Sequence, residues 1–148
     1  MKQIIEKLID KNETIAFAES MTGGNLAGRL VLESNASKVL FESYIVYSND
    51  AKINVLGVDK NLIETYGVVS NEVAYDMAKK LSIKTKNTLN IATTGYSEGD
   101  YDLVCFVGIS YKNDIKTYKI TLDSNKSRIK NINYTIEEII KIVKQTLA

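Results

Sequence analysis

The sequence predicts an α/β fold: three α/β/α layers with a mixed β-sheet in the middle, in a single domain. Three observations lead there. Short β-rich runs alternate with helical hydrophobic periodicity over the first two thirds of the chain. Two further β-rich runs, 102–111 and 114–122, flank Lys112-Asn113 as a hairpin would, so the last strands are antiparallel and the sheet is mixed. Finally, 148 residues with 45% hydrophobic and 25% charged side chains are enough for one core and match globular averages.

The elements follow in order. Ile4, Ile5, Leu8 and Ile9 mark a short amphipathic helix. Ile15-Ala16-Phe17-Ala18 reads as a buried strand over 14–18. Leu26, Leu30 and Val31, with Ala27 beside them, recur at helical spacing and predict a helix near 22–34. Phe41 to Tyr47 is rich in β-formers and is bounded by Ser48-Asn49-Asp50, which gives a second strand. Short helices at 50–56 and 59–65 are punctuated by Gly57 and Gly67. Ser70 is an N-cap for a helix at 71–81, with Val73, Met77 and Leu81 on one face. A buried strand over 87–94 and the hairpin follow. Ile129, Ile132, Ile136, Ile139, Ile140, Val143 and Leu147 then mark a long C-terminal helix.

Composition narrows the function classes. Nineteen basic and 18 acidic residues give a net charge of +1, which offers no field for nucleic acid or a membrane surface. Lys112, Lys116, Lys119, Lys126, Arg128 and Lys130 cluster late, but Asp114 and Asp123 interrupt them, as on a solvated face. The single cysteine, Cys105, excludes an internal disulfide and any CxxC motif, and its apolar neighbours make it a small buried hydrophobe. No leader-like or membrane-length apolar run is present, so a soluble, cytoplasmic protein is expected. Proline is absent, although average usage is about 5%, and the Lys, Ile and Asn excess suggests compositional drift.

Three polar segments lie at predicted strand ends, where open α/β sheets hold ligands. Glu19-Ser20-Met21-Thr22-Gly23-Gly24 puts a hydroxyl on a strand-to-helix turn beside unpaired backbone N–H groups. It suits phosphate binding, serine nucleophile chemistry or a plain helix cap. The chain has no histidine, so a nucleophilic Ser20 needs another base, and lysine is the candidate. Tyr47-Ser48-Asn49-Asp50-Ala51-Lys52 projects Lys52 from the first turn of a capped helix, either to a site or to solvent. Thr93-Thr94-Gly95-Tyr96-Ser97-Glu98-Gly99-Asp100 is a phosphate cradle or an ordinary connection; it matches neither the Walker pattern nor GxGxxG.

Together these segments resemble the CinA C-terminal domain family, whose stand-alone members are nicotinamide mononucleotide deamidases. The resemblance includes Ala18-Glu19-Ser20 with Thr22-Gly23-Gly24, Tyr47-Ser48-Asn49 with Ala51-Lys52, Leu56-Gly57-Val58, and Tyr66-Gly67-Val68-Val69-Ser70. It implies hydrolysis of the carboxamide of nicotinamide mononucleotide to nicotinic acid mononucleotide and ammonia, in the pyridine-nucleotide cycle, with no metal or cofactor. The family's catalytic serine, tyrosine and lysine match Ser20, Tyr47 and Lys52. Glu19, Thr22, Gly23, Gly24, Ser48, Asn49, Thr94, Gly95 and Arg128 are implied to bind substrate, Arg128 through its phosphate. N–H groups around Thr22, Gly23 and Gly24 are the expected oxyanion donors, and Lys52 takes the Ser20 proton directly or through Tyr47. The implied partner is the small nucleotide, and a homo-oligomer is compatible with the family.

The chain departs from the family at two places. Met21 stands where a cysteine is usual. Tyr96-Ser97-Glu98-Gly99-Asp100 replaces a glycine-rich loop, adding bulk and negative charge where a phosphate is expected. Two alternatives follow: a relative that binds a nucleotide or protein without turnover, or the same Ser/Lys chemistry on another small amide.

Overall fold

The computed structural model describes all 148 residues. Five strands, β1 (Ile15–Glu19), β2 (Leu40–Ile45), β3 (Leu89–Tyr96), β4 (Val104–Tyr111) and β5 (Asp114–Thr121), form one sheet in the order β2-β1-β3-β4-β5. β1 is parallel to both β2 and β3, whereas β4 and β5 are antiparallel to their neighbours. The predicted mixed sheet is therefore present. The Lys112-Asn113 hairpin is also present, with both turn residues at positive φ (52° and 67°), the twist a two-residue hairpin requires.

Helices α1 (Lys2–Asp10), α2 (Asn25–Val31) and α6 (Arg128–Thr146) cover one face of the sheet, while α4 (Lys60–Tyr66) and α5 (Asn71–Thr85) cover the other. Alternation along β1 supplies both cores. Ile15 and Phe17 pack with Leu8, Leu26, Ile139 and Val143, whereas Ala16 and Ala18 pack with Val73, Met77 and Leu81. Each large side chain buried this way contributes about 1.5–3 kcal/mol. The small alanines let α5 lie close to the sheet. Ile9, Val31 and Ile129, expected to face the core, stay exposed at helix ends.

Several boundaries shift for local reasons. The helix expected over 22–34 starts at Asn25, because Gly23 (φ 57°) and Gly24 (φ 93°) hold a left-handed turn that breaks the helical path. β2 ends at Ile45, so Tyr47 lies outside the strand. The helix expected over 50–56 is one α-turn, α3 (Asn49–Ala51), followed by a wide π-type turn, Lys52–Leu56, closed at Gly57. β3 runs on to Tyr96, so Gly95 and Tyr96 are ladder residues paired with Cys105 and Val104, not loop residues. Ser70 caps α5 as expected, accepting from Val73 N–H at 3.3 Å.

The topology positions the site. From β1 the chain crosses to β2 on one side, and from β2 it returns to β3 on the other. The connections thus diverge at the β1/β3 boundary, where a crevice opens beyond the carboxyl ends of the strands. Ser20, Tyr47 and Thr94 all lie at that edge.

Candidate active site

Ser20 follows the last residue of β1. Its N–H donates to the Thr93 carbonyl and to Thr93 Oγ1, each at 3.2 Å, so the turn is tied to β3. Thr22 Oγ1 and Thr93 Oγ1 share a hydrogen bond of 2.9 Å beneath it. The serine is 7% exposed, enough for its hydroxyl to line a cavity of about 390 Å³. That volume falls within the range of small-molecule sites.

Lys52 reaches the same point from the opposite wall. Ser48 caps α3 by accepting from Ala51 N–H at 3.0 Å, and the wide turn that follows aims the lysine inward. Turns of this π-type recur at functional sites. The side chain is only 2% exposed. Its Nζ lies 2.8 Å from Ser20 Oγ, 3.0 Å from the Val46 carbonyl and 3.4 Å from the Tyr47 carbonyl. Burial disfavours the ammonium and brings the pKa from 10.5 down to about 8. As a neutral amine, Lys52 would keep two N–H donors for the two carbonyls and turn its lone pair toward Ser20. The backbone thus orients the amine.

Tyr47 enters the site differently from its expected role. Its carbonyl faces Lys52 Nζ and lies 3.5 Å from Ser20 Oγ, but its ring is 58% exposed. Its hydroxyl accepts from Arg128 Nη2 at 2.6 Å, and no bond joins that hydroxyl to Ser20 or Lys52. A proton relay through the Tyr47 side chain is absent. The direct Ser20–Lys52 contact is present.

Asn49, Thr94, Gly95 and Arg128 line the cavity with Ser20, Tyr47 and Lys52. Glu19, Thr22, Gly23, Gly24 and Ser48 do not, and each has a structural task instead. The fully buried Glu19 carboxylate accepts from Leu26 N–H (2.8 Å) and Ala27 N–H (3.1 Å), so the α2 start offered to a ligand is filled by the protein itself. Gly23 N–H donates to the Ser20 carbonyl at 2.9 Å, which removes it as an oxyanion donor. Gly95 is needed for packing. A Cβ there would lie 2.4 Å from the Val104 carbonyl oxygen, 2.8 Å from Met21 Sδ and 2.9 Å from Cys105 Cα.

The rest of the wall joins Tyr96, Ser97 and Glu98 of the third polar segment to Val68, Val69 and Tyr101, which the sequence did not assign to the site. Val68 and Val69 line one side, held where Thr94 Oγ1 donates to the Val68 carbonyl at 2.7 Å. Tyr96 and Tyr101 stack with centroids 4.1 Å apart and planes 9° apart. Ser97, whose buried hydroxyl has no hydrogen-bond partner, and Glu98 complete the wall. Glu98 accepts from Arg128 Nη1 at 3.2 Å. A larger cavity of about 580 Å³ shares Val69 and Tyr101 but holds neither Ser20 nor Lys52. Cys105 is buried beside β3, and burial pushes its thiol up to about 12, so it is no competing nucleophile. No group of three or more His, Cys, Asp or Glu side chains is placed to hold a metal ion, and no helix is long and apolar enough to cross a membrane.

Known proteins agree with this architecture. Solved structures of CinA-superfamily proteins from Klebsiella pneumoniae (TM-score 0.92, 21% identity, covering 99% of this chain and 94% of that one) and Escherichia coli (0.85, 24%, covering 91% and 81%) share the fold. Relatives that carry the provisional name competence-damage inducible protein occur in Finegoldia magna (39% identity, 88% of this chain) and Clostridium acetobutylicum (38%, 89%). The chain spans about a third of their length, 32% and 34% respectively. The model of the CinA C-terminal domain matches residues 1–147, and the chain belongs to that family.

Proposed function

We propose that the protein is a metal-independent amidohydrolase that deamidates nicotinamide mononucleotide, with Ser20 as nucleophile and Lys52 as its base. The observation that carries this reading is the buried 2.8 Å contact between Lys52 Nζ and Ser20 Oγ. Neutral Lys52 takes the Ser20 proton as Oγ bonds to the carboxamide carbon, and the carbonyl electrons move to oxygen. When that tetrahedral adduct collapses, the C–N bond breaks and Lys52 returns the proton to departing ammonia. Water, deprotonated by the same amine, then hydrolyses the acyl-serine to the acid.

A pKa of about 8 leaves roughly a tenth of Lys52 neutral at pH 7. Asn49 supplies a side-chain amide in the cavity for the developing oxyanion. The Tyr96–Tyr101 stack offers a flat aromatic wall for the pyridine ring. Incubation with nicotinamide mononucleotide and an ammonia assay test the reading. Release by the native protein and none by Ser20→Ala is expected; equal release from both removes Ser20 as nucleophile.

A second reading, binding without turnover, is favoured by one observation: Arg128 already holds Glu98 and Tyr47. It requires ligand-dependent thermal stabilisation with no ammonia release, and measurable turnover rejects it.

A further inference from the structure

The cavity contains two cations and one carboxylate. Lys52 is buried and turned to Ser20, which leaves Arg128 as the cation at the mouth. Both of its terminal nitrogens are engaged: Nη1 donates to Glu98 Oε1 at 3.2 Å, and Nη2 to Tyr47 Oη at 2.6 Å. A phosphate binds a guanidinium best through paired N–H groups, and here each terminal nitrogen already has a partner for which a phosphate must compete. The Tyr47 hydroxyl can keep its bond beside an anion. Glu98 cannot, because its negative charge would stand against the phosphate. The Arg128 and Glu98 side chains are 42% and 58% exposed, so the pair can be broken by a competing anion.

We propose that Glu98 is a specificity-determining residue: by holding Arg128, it lowers the site's preference for a phosphorylated amide over the same amide without phosphate. The choice of a nicotinamide ligand rests on the amidohydrolase reading; the competition for Arg128 does not. Glu98 acts on substrate selection through Arg128, while the chemistry stays with Ser20 and Lys52.

The test is calorimetric titration in a Ser20→Ala background, which separates binding from turnover. The probes are nicotinamide mononucleotide, the corresponding nucleoside and inorganic phosphate. Glu98→Gln is expected to tighten the mononucleotide roughly three- to fivefold, the range an exposed pair allows, and to leave the nucleoside nearly unchanged. In an Arg128→Met background the same change is expected to do nothing, because its effect runs through the guanidinium. Equal shifts for both ligands, persistence of the effect without Arg128, or no binding of mononucleotide or phosphate to the Glu98→Gln protein each overturn the proposal. The ammonia assay on the native protein stands apart. Its failure with the affinity ratio shifted removes only the amidohydrolase reading, and its success with no shift removes only the role of Glu98.

Discussion

Two polar clusters share one cavity, and they are built in opposite ways. At its floor, Ser20 and Lys52 are almost fully buried and fixed by backbone carbonyls and by the Thr93 ladder. At its mouth, Arg128, Glu98 and Tyr47 meet through exposed side chains with water as a ready alternative partner. Burial explains the difference in consequence. The floor lysine is pushed down to about 8, because burial disfavours its charged form. The mouth pair is worth at most about 1 kcal/mol, as exposed pairs usually are, so a ligand can rearrange it. In the proposed amidohydrolase reading, chemistry belongs to the rigid cluster and selection to the exchangeable one.

The contrast can be broken most severely at the floor. Ser20→Ala is expected to lower ammonia release by roughly 10⁴-fold or more, as loss of a nucleophile does, with folding unchanged by circular dichroism. Lys52→Met is expected to abolish turnover and yet raise Tm at pH 7. The sign follows from linkage. The folded pKa lies below the unfolded value of 10.5, so charging the buried amine costs stability fully below pH 8, and that cost disappears as pH rises from about 8 to 10.5. The Tm advantage of Lys52→Met should therefore shrink over that window in scanning calorimetry. Activity of the native protein should climb through pH 8 as the amine becomes neutral.

Support for the floor can be weakened without touching it. Gly95→Ala is expected to cost about 1–3 kcal/mol in chemical denaturation, because its methyl meets backbone of β4. Glu19→Gln is expected to cost about 1 kcal/mol through poorer capping of α2, with KM unchanged. The smallest effect is expected at the mouth. Tyr47→Phe removes a hydroxyl bonded only to Arg128 and keeps the carbonyl that faces Lys52, so kcat should stay within about fivefold. A loss of a thousandfold or more would restore the tyrosine to the proton path.

Legibility followed the range of the interactions. The hairpin at Lys112-Asn113 and the Ser70 cap were readable because a few neighbouring residues determine them. Ser20 and Lys52 were readable as site candidates, from a strand-end hydroxyl in a chain without histidine and a lysine in a recognisable segment. Glu19 was misassigned because a carboxylate at a strand end looks the same whether it faces a ligand or the next helix. Gly95 was taken for loop chemistry, since a tight approach from the Val104 and Cys105 backbone and the Met21 side chain leaves no mark within its own segment. Tyr101 and Val68 carried no signal as a wall, because they come from separate segments and join Tyr96, already expected to add bulk there, only across the sheet edge.

The amino-acid order determined the alternation of strands and helices, the mixed sheet, and which hydroxyl and amine sit at strand ends, because these depend on local periodicity and turn chemistry. Tertiary structure alone decided the rest. It buried Lys52 against Ser20, turned the Tyr47 ring outward to Arg128, folded Glu19 under α2 and set Glu98 on the only cation at the mouth. Each outcome depends on distance through space and on the water removed by packing, neither of which residue order expresses.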